Sequence, residues 1–352
     1  MLTKLLSGDM PRSKILAMLL AGILICLAFA PFLFPGVRSV DTAARICVFI
    51  VLVASYDLML GYGGIVSFAH TMFFGIGAYG VALACTHMGR GFDALLVGAL
   101  SGALLAALLA FVIGLFSLRV RAIFFAMITL AVASAVAVLV SQLSGITGGE
   151  DGLNYKIPRE LTSAFEFADA KPFGVKMNGK LLNYYLVFTS ALFLFLLMLR
   201  IVHSPFGRVL LAIRENDFRA EAIGYRVVYY RVAATCISAA AAALAGSLYA
   251  IWLRYVGPDT SLSMEIMIDI LLMVVIGGMG TMYGAVIGAT IFVLAQNYLQ
   301  NLMGVASEAV SGIPILPQLL SADRWLLWLG VLFILSVYFF PSGIVGRLRQ
   351  GK

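Results

Sequence analysis

Long apolar stretches, broken by short polar or glycine-rich intervals, run through most of this 352-residue chain. Runs such as Leu16–Phe34 and Tyr184–Leu199 carry no charged residue. About 20 apolar residues suffice for a helix to cross the hydrocarbon core of a bilayer. A membrane β-barrel instead needs alternating apolar and polar positions. The runs here do not alternate, so the backbone must satisfy its own hydrogen bonds as helices. The pattern predicts ten membrane helices, at 15–34, 41–60, 63–86, 93–117, 122–142, 183–202, 231–254, 264–281, 284–302 and 324–341. Almost no polar loop separates neighbours near Gly61 and near Gly280–Gly284. The expected fold class is therefore an all-α polytopic membrane protein of about ten transmembrane helices.

Two longer polar intervals organise the rest. The 143–182 loop contains Glu150, Asp151, Glu160, Glu166 and Asp169, and its Pro158, Pro172, Gly174 and Gly179 suggest irregular structure. The second interval, 203–230, holds the helix-forming run Ser204–Tyr225. Ser-Pro is a helix start signal. Arg208, Ala212, Glu215, Arg219 and Ala222 follow at helical spacing, and Gly224 suits a C-terminal stop. Such a polar helix between two apolar spans must lie outside the lipid. An amphipathic helix resting on the membrane surface would show the same pattern.

Ten spans place both termini on one side. That side then carries Lys4, Arg12, Lys14, Arg119, Arg121, Arg200, Arg208, Arg214, Arg219, Arg226, Arg231, Arg347, Arg349 and Lys352, more than half of the 24 basic residues. The positive-inside bias makes it cytoplasmic and turns the 143–182 loop outward. Lys4, Arg12 and Lys14 before an apolar run mimic a signal peptide, but the run is long enough to span and reads as a retained first helix.

The outer loop divides the chain into residues 1–142, the loop 143–182, and residues 183–352, which include the cytoplasmic segment 203–230. Five spans on either side give two halves of opposite orientation, the inverted-repeat plan of many transporters. Each half has a glycine-interrupted apolar segment. One runs through Gly63, Gly64, Ser67 and His70, the other through Gly277, Gly278 and Gly280. Glycine permits unwinding and close backbone approach, and unwound backbone is tolerated at membrane depth only in protein or beside a cavity. These seven residues are candidates for a translocation path, with helix packing the competing explanation for each glycine.

Composition sharpens this. The chain is 62% hydrophobic and 12% charged, against about 25% charged for soluble domains, and its mean hydropathy is +1.02. The net charge of +7 is spread between spans, so nucleic acid is not an expected partner. Cys26, Cys47, Cys85 and Cys236 lie in apolar runs without metal-ligand spacing and read as packing residues.

Two motifs resemble nucleotide sites and fail on context. Gly75–Gly80 matches GxGxxG but lies within a membrane helix, not after a strand. Gly174–Leu181 resembles a P-loop but ends on Leu181, where a magnesium-binding hydroxyl is needed. The chain is thus expected to hold no cofactor and to catalyse no reaction, with any ATP and magnesium on a partner. Ionisable residues in spans mark functional candidates. Asp57 sits near the expected cytoplasmic end of its span and reads as interfacial. His70 reads as a packing histidine or a substrate contact. Glu265 and Asp269, four apart, call for solvent or a basic partner. A proton relay through Asp57, His70 or Asp269 keeps a secondary transporter open as a rival reading.

The run SPFGRVLLAIRENDFRAEAIGY, followed by ISAAAAALAGSLYA at Ile237–Ala250, resembles the LivM-like permease subunits of branched-chain amino-acid ABC importers. GGIVSFAHTMFFGIGAY at Gly63–Tyr79, VVIGGMGTMYGAVIGA at Val274–Ala289 and GITGGEDGL at Gly145–Leu153 match the same pattern in order. The resemblance implies an inner-membrane importer with a second, LivH-like permease, two cytoplasmic ATPases that carry ATP and magnesium, and a periplasmic binding protein. It implies that Arg208, Arg214, Glu215, Arg219, Glu221 and Gly224 belong to the segment that couples to an ATPase. Ala285 stands where the family usually has proline, and Asp57 where it usually has an uncharged amide. Urea, short-amide and aromatic-acid importers share the scaffold and remain alternatives for the substrate.

Overall fold

The structure is a computed structural model that describes residues 13–34, 36–117, 122–168, 177–309, 321, 324–339 and 343–350. The basic residues Lys4, Arg12, Arg119, Arg121 and Lys352, and the start of the P-loop-like segment at Gly174, lie outside them. The long helices are α1 (Lys14–Leu33), α2 (Val37–Asp57), α3 (His70–Met88), α4 (Phe92–Ser117), α5 (Ala122–Gln142) and α6 (Gly179–His203). Two short helices, α7 (Pro205–Glu215) and α8 (Asp217–Ala222), lead into α9 (Val227–Leu253), α10 (Met264–Gly277), α11 (Met282–Ala309), α12 (Trp325–Phe339) and α13 (Gly343–Gln350). Eight segments among the described residues are long and apolar enough to span a bilayer, while the apolar helix Lys14–Ala28 and α12 are shorter.

Each of the ten expected spans contains a helix among the described residues, but the boundaries shift for local reasons. The span expected from residue 63 starts at His70, because a π-turn at Leu58–Tyr62 and the left-handed Gly64 (φ +66°) leave 63–69 irregular. The span expected to reach 281 stops at Gly277, where Gly278 adopts φ +113°. The span expected from 183 begins at Gly179, capped by the Asn178 side chain, which accepts from the Leu181 N–H.

Which helices lie inside follows from their surfaces. Beyond its polar first turns, helix α2 is apolar all round from Ile46 to Ala54, and 89% of its most apolar stretch is buried, against 11% for α5, whose side chains face outward. Helix α9 is also largely buried, and its run of small residues packs against α2, α3 and α4. A Cβ on Gly77 would strike the Ala243 backbone, and one on Gly246 the Phe74 backbone. The two backbones thus approach as closely as small residues allow, the usual device for helix association without a hydrophobic driving force.

Helix α1 contains Pro31, which cannot donate to the Leu27 carbonyl. The hydroxyl of buried Tyr184 on α6 donates to that carbonyl at 2.5 Å, and Tyr185 donates to the Ala28 carbonyl at 2.9 Å. The backbone acceptor freed by proline therefore ties α1 to α6, as apolar surroundings require.

Residues 143–168 close one end of the bundle. Strand β1 (Leu153–Asn154) pairs antiparallel with β4 (Tyr255–Val256), just after α9, and β2 (Glu166–Ala168) pairs with β3 (Met177–Asn178) before α6. Here Tyr155 is buried, and that burial raises the pKa of its phenol. Helices α7 and α8 lie at the opposite end. The four cysteines are free thiols; Cys47 and Cys85 are buried and Cys26 is exposed.

Gly77→Val and Gly246→Val should each destabilise the protein by about 1–3 kcal/mol through overpacking. Gly22→Val, which meets nothing within 4 Å, should cost less than about 0.5 kcal/mol. Thermal unfolding in detergent measures all three; equal effects would contradict the α3–α9 contact.

Candidate coupling site and translocation path

The polar segment forms two helices, where the charge spacing suggested one. Asn216 adopts an extended conformation (φ −162°, ψ 100°), and its side chain caps α8 by accepting from the Arg219 N–H at 2.8 Å. Asparagine competes for backbone hydrogen bonds in this way and so breaks a helix. Gly224, with φ +97°, ends α8. The pair is seated by its apolar side. Ile213, Ala220 and Val227 form a small core, Phe206 stacks on Tyr230 at 5.8 Å, and Asp217 pairs with Arg231 of α9 at 3.5 Å. Gly207 lies flush on the Val202 backbone.

The opposite side is open. Arg208, Glu215, Arg219, Glu221 and Gly224 are exposed, with Phe218 81% and Ile223 69% exposed among them. Exposed large apolar groups within a charged rim are the composition of a docking surface.

Arg214 differs from its neighbours. Its guanidinium donates to the Gly61 carbonyl in the π-turn that follows α2, and its stem lies along Gly64. A Cβ on Gly280 would come 2.8 Å from the guanidinium and 3.0 Å from the Gly61 carbonyl. The Gly280 N–H donates to Asp57 at 2.8 Å. One knot therefore joins Arg214, the break after α2 and the break between α10 and α11. Gly280 itself is left-handed at φ +79°, so both its conformation and its surroundings require glycine. Gly277 lies against the Gly284 backbone, which closes the α10–α11 turn.

Asp57 is not interfacial, as its position near a span end suggested. It is 1% exposed, and its second oxygen has no hydrogen-bond partner. The charge of Arg214 and the amide of Thr281 act on it from nearby. The structure thus brings Gly64, Gly280 and Arg214 together around Gly61 and Asp57. Gly63 and Ser67 lie in the adjoining irregular stretch, where Ser67 accepts from the Ala69 N–H at 3.3 Å.

His70 is set apart from the knot. It is fully buried, its Nε2 pairs with Ser55 Oγ at 2.8 Å, and its ring meets Tyr56 and Phe73 edge-on. Ser238 of α9 donates to the Ser55 carbonyl at 2.5 Å, so the histidine belongs to a polar seam that holds α2, α3 and α9. Asp269 accepts from the Gln296 side chain at 3.4 Å, an amide in place of the expected basic partner, while Glu265 is exposed. Asp57, His70 and Asp269 thus have separate partners.

Sequence reasoning overlooked a cavity at the other end. It has a volume of about 350 Å³ and lies between the ends of α2, α6 and α9, with Leu161 and Ser163 across it. Arg38, Asp41, Arg45, Lys180, Asn183, Trp252 and Arg254 line it. The signal was available: Arg38, Asp41 and Arg45 recur at helical spacing as α2 begins.

A family described as the permease component of the branched-chain amino acid transport system matches residues 38–337. The LivM permease protein of the high-affinity branched-chain amino acid transport system of Salmonella typhimurium is 28% identical over 324 residues, covering 88% of this chain and 74% of its own length. The Escherichia coli K12 LivM protein is 28% identical over 291 residues, covering 79% and 67%. A probable branched-chain amino acid transport permease LivM of Methanocaldococcus jannaschii is 27% identical over 246 residues, covering 69% and 66%. No solved structure matches.

Asp57→Asn keeps an acceptor for the Gly280 amide, whereas Asp57→Ala leaves that amide unpaired at a cost of about 1–3 kcal/mol. Denaturant unfolding should rank wild type and Asp57→Asn together above Asp57→Ala. Equal losses in both variants would mean that the amide contact is not what matters.

Proposed function

Because the chain belongs to the family of branched-chain amino acid transport permease components, we propose that it forms half of an ATP-driven import pathway for leucine, isoleucine and valine. It is a multi-pass membrane protein, and in this reading it sits in a bacterial inner membrane with both termini in the cytoplasm. Its proposed partners are a second, LivH-like permease, two ATPase subunits that bind ATP and magnesium, and a periplasmic binding protein. Residues 1–142 and 183–352 are the two inverted halves, joined by a periplasmic loop at 143–182.

The observation that carries this reading is the Arg214 knot. A helix pair with an exposed apolar and charged face is wired by one side chain to breaks in both halves of the bundle. Motion imposed on α7–α8 by an ATPase would reach the Gly61 turn and the Gly280 turn together. In this mechanism Arg208, Glu215, Arg219 and Glu221 dock the ATPase, Gly224 shapes the end of the segment, and Arg214 transmits. The glycine breaks around Gly63, Gly64, Gly277, Gly278 and Gly280 act as hinges next to the path, with Ser67 and His70 anchoring the first of them. A proton-coupled mechanism lacks comparable support, since Asp57, His70 and Asp269 are bonded to different groups and form no chain.

Phe218→Asp combined with Glu221→Arg should weaken ATPase association by about 2 kcal/mol, as for a central interface residue, or roughly thirtyfold in Kd. Co-purification of tagged permease with its ATPase subunits measures this. Undiminished recovery of the ATPases would overturn the docking role of this face.

A further inference from the structure

Helix α1 is fastened to the bundle near its two ends and stands off between them. At one end the Tyr184 and Tyr185 hydroxyls of α6 donate to the Leu27 and Ala28 carbonyls. At the other, fully buried Leu16 packs with Ile287 of α11 and Val345 of α13. Between the fastenings Ala17, Leu20, Ala21, Leu24 and Leu27, one face of the helix by their spacing, line a cavity of about 400 Å³. Cys47 and Ile50 of α2 and Tyr283 and Val286 of α11 line it from the core side and are buried. Leu24 of α1 is exposed, and Phe188, Leu192 and Phe195 of α6 are half-buried. The cavity is therefore floored by α2 and α11 and opens between α1 and α6.

Its size and depth decide what fits. The lining is apolar apart from the Cys47 thiol and the Tyr283 hydroxyl, and an apolar cavity stays dry and takes up apolar molecules. One of about 150 Å³ holds the six carbons of benzene, so about 400 Å³ holds roughly 16 carbons. The stretch from Ala17 to Leu27 rises about 15 Å, half of the roughly 30 Å hydrocarbon core. A second helix along that length, about 10–12 Å across, would need roughly 1,200 Å³. One hydrocarbon chain within one leaflet matches both measures.

Charge marks the end from which the chain enters. Lys14 lies one turn before Ala17, and Arg200 one turn beyond Leu196, so each continues a face that lines the cavity. The start of α6 meets the last turns of α1, so Lys14 and Arg200 lie at the same end, the one leading into α7. Both are exposed, and neither has an ion pair among the described residues. A single cation at a span end is ordinary. Two cations below the mouth of one apolar cavity suit a phospholipid, with its anionic head outside and a chain within.

We propose that an anionic phospholipid occupies this place, its phosphate held by Lys14 and Arg200 and one acyl chain lying behind α1. The chain completes the packing of α1 on α2 and α11, where protein side chains leave a gap. The site stands whatever solute the protein transports.

The test reconstitutes the purified, assembled protein in phosphatidylcholine nanodiscs that contain a minor share of phosphatidylglycerol bearing a diazirine midway along one acyl chain. After irradiation, cross-linked peptides are mapped by mass spectrometry. Surrounding lipid reaches outward residues such as Ile123 and Met127 of α5, but not the buried floor. The proposal predicts labelling at Cys47, Ile50, Tyr283 or Val286 as efficient as that on α5. Ala21→Leu combined with Ala191→Leu, which fills the space, should cut floor labelling at least about fivefold and leave α5 unchanged. The phosphatidylglycerol probe should label the floor about tenfold more than a matching phosphatidylcholine probe, and Lys14→Gln with Arg200→Gln should abolish that preference. Labelled α5 with an unlabelled floor overturns the site, whether the gap has collapsed or another helix fills it. Equal floor labelling by the two probes in the wild type overturns the anionic head. Should the filled variant fail to fold, the wild-type comparisons of floor with α5 and of the two probes still decide.

Discussion

The arrangement at one end of the bundle depends on a backbone amide and a backbone carbonyl that apolar surroundings do not allow to go unpaired. Gly61 and Gly280 lie where helices have been broken, and broken helices expose such groups. Asp57 takes the Gly280 N–H and Arg214 gives to the Gly61 carbonyl. Because Gly61 and Gly280 also touch, the two solutions share one small volume. Any displacement of Arg214 disturbs both breaks together. That constraint makes a peripheral helix pair an input to both helix breaks.

The same accounting recurs elsewhere. Pro31 frees a carbonyl in α1, and Tyr184 of α6 satisfies it. Ser55 links His70 and Ser238 across three helices. In a bundle whose apolar surface gains little from leaving lipid, these bonds and the close contacts of Gly77 and Gly246 supply the specificity of packing. The accounting is not complete everywhere. Buried polar atoms without a partner occur at several places, among them the Asn183 Oδ1, the second Asp57 oxygen and the Tyr56 and Tyr79 hydroxyls.

Much of the helix plan was legible because span length and apolarity are local properties, and α4 and α5 run close to the limits their sequences suggest. The breaks were legible as glycine clusters, but their meeting was not. Asp57 and Gly280 are separated by 223 positions, and no periodicity reports a contact across that distance. Asp57 therefore read as an interfacial charge. The split at Asn216 carried a visible cap residue, yet the helical charge spacing on both sides masked it. The cavity was hidden for a third reason. Its residues come from four helices and the loop before α6, and Asn183 and Trp252 each look like ordinary span-end residues until α6 and α9 are placed beside α2.

The central claim is that Arg214 carries the state of the ATPase-facing segment into the membrane. Its most direct test is Arg214→Met in the assembled importer, which keeps an apolar stem along Gly64 and removes the donor to Gly61. Substrate-stimulated ATP hydrolysis and leucine import are measured on the same preparation. The account predicts that the complex assembles and hydrolyses ATP at its basal rate, while stimulation and import fall to background. Stimulation and import at wild-type rates would contradict it.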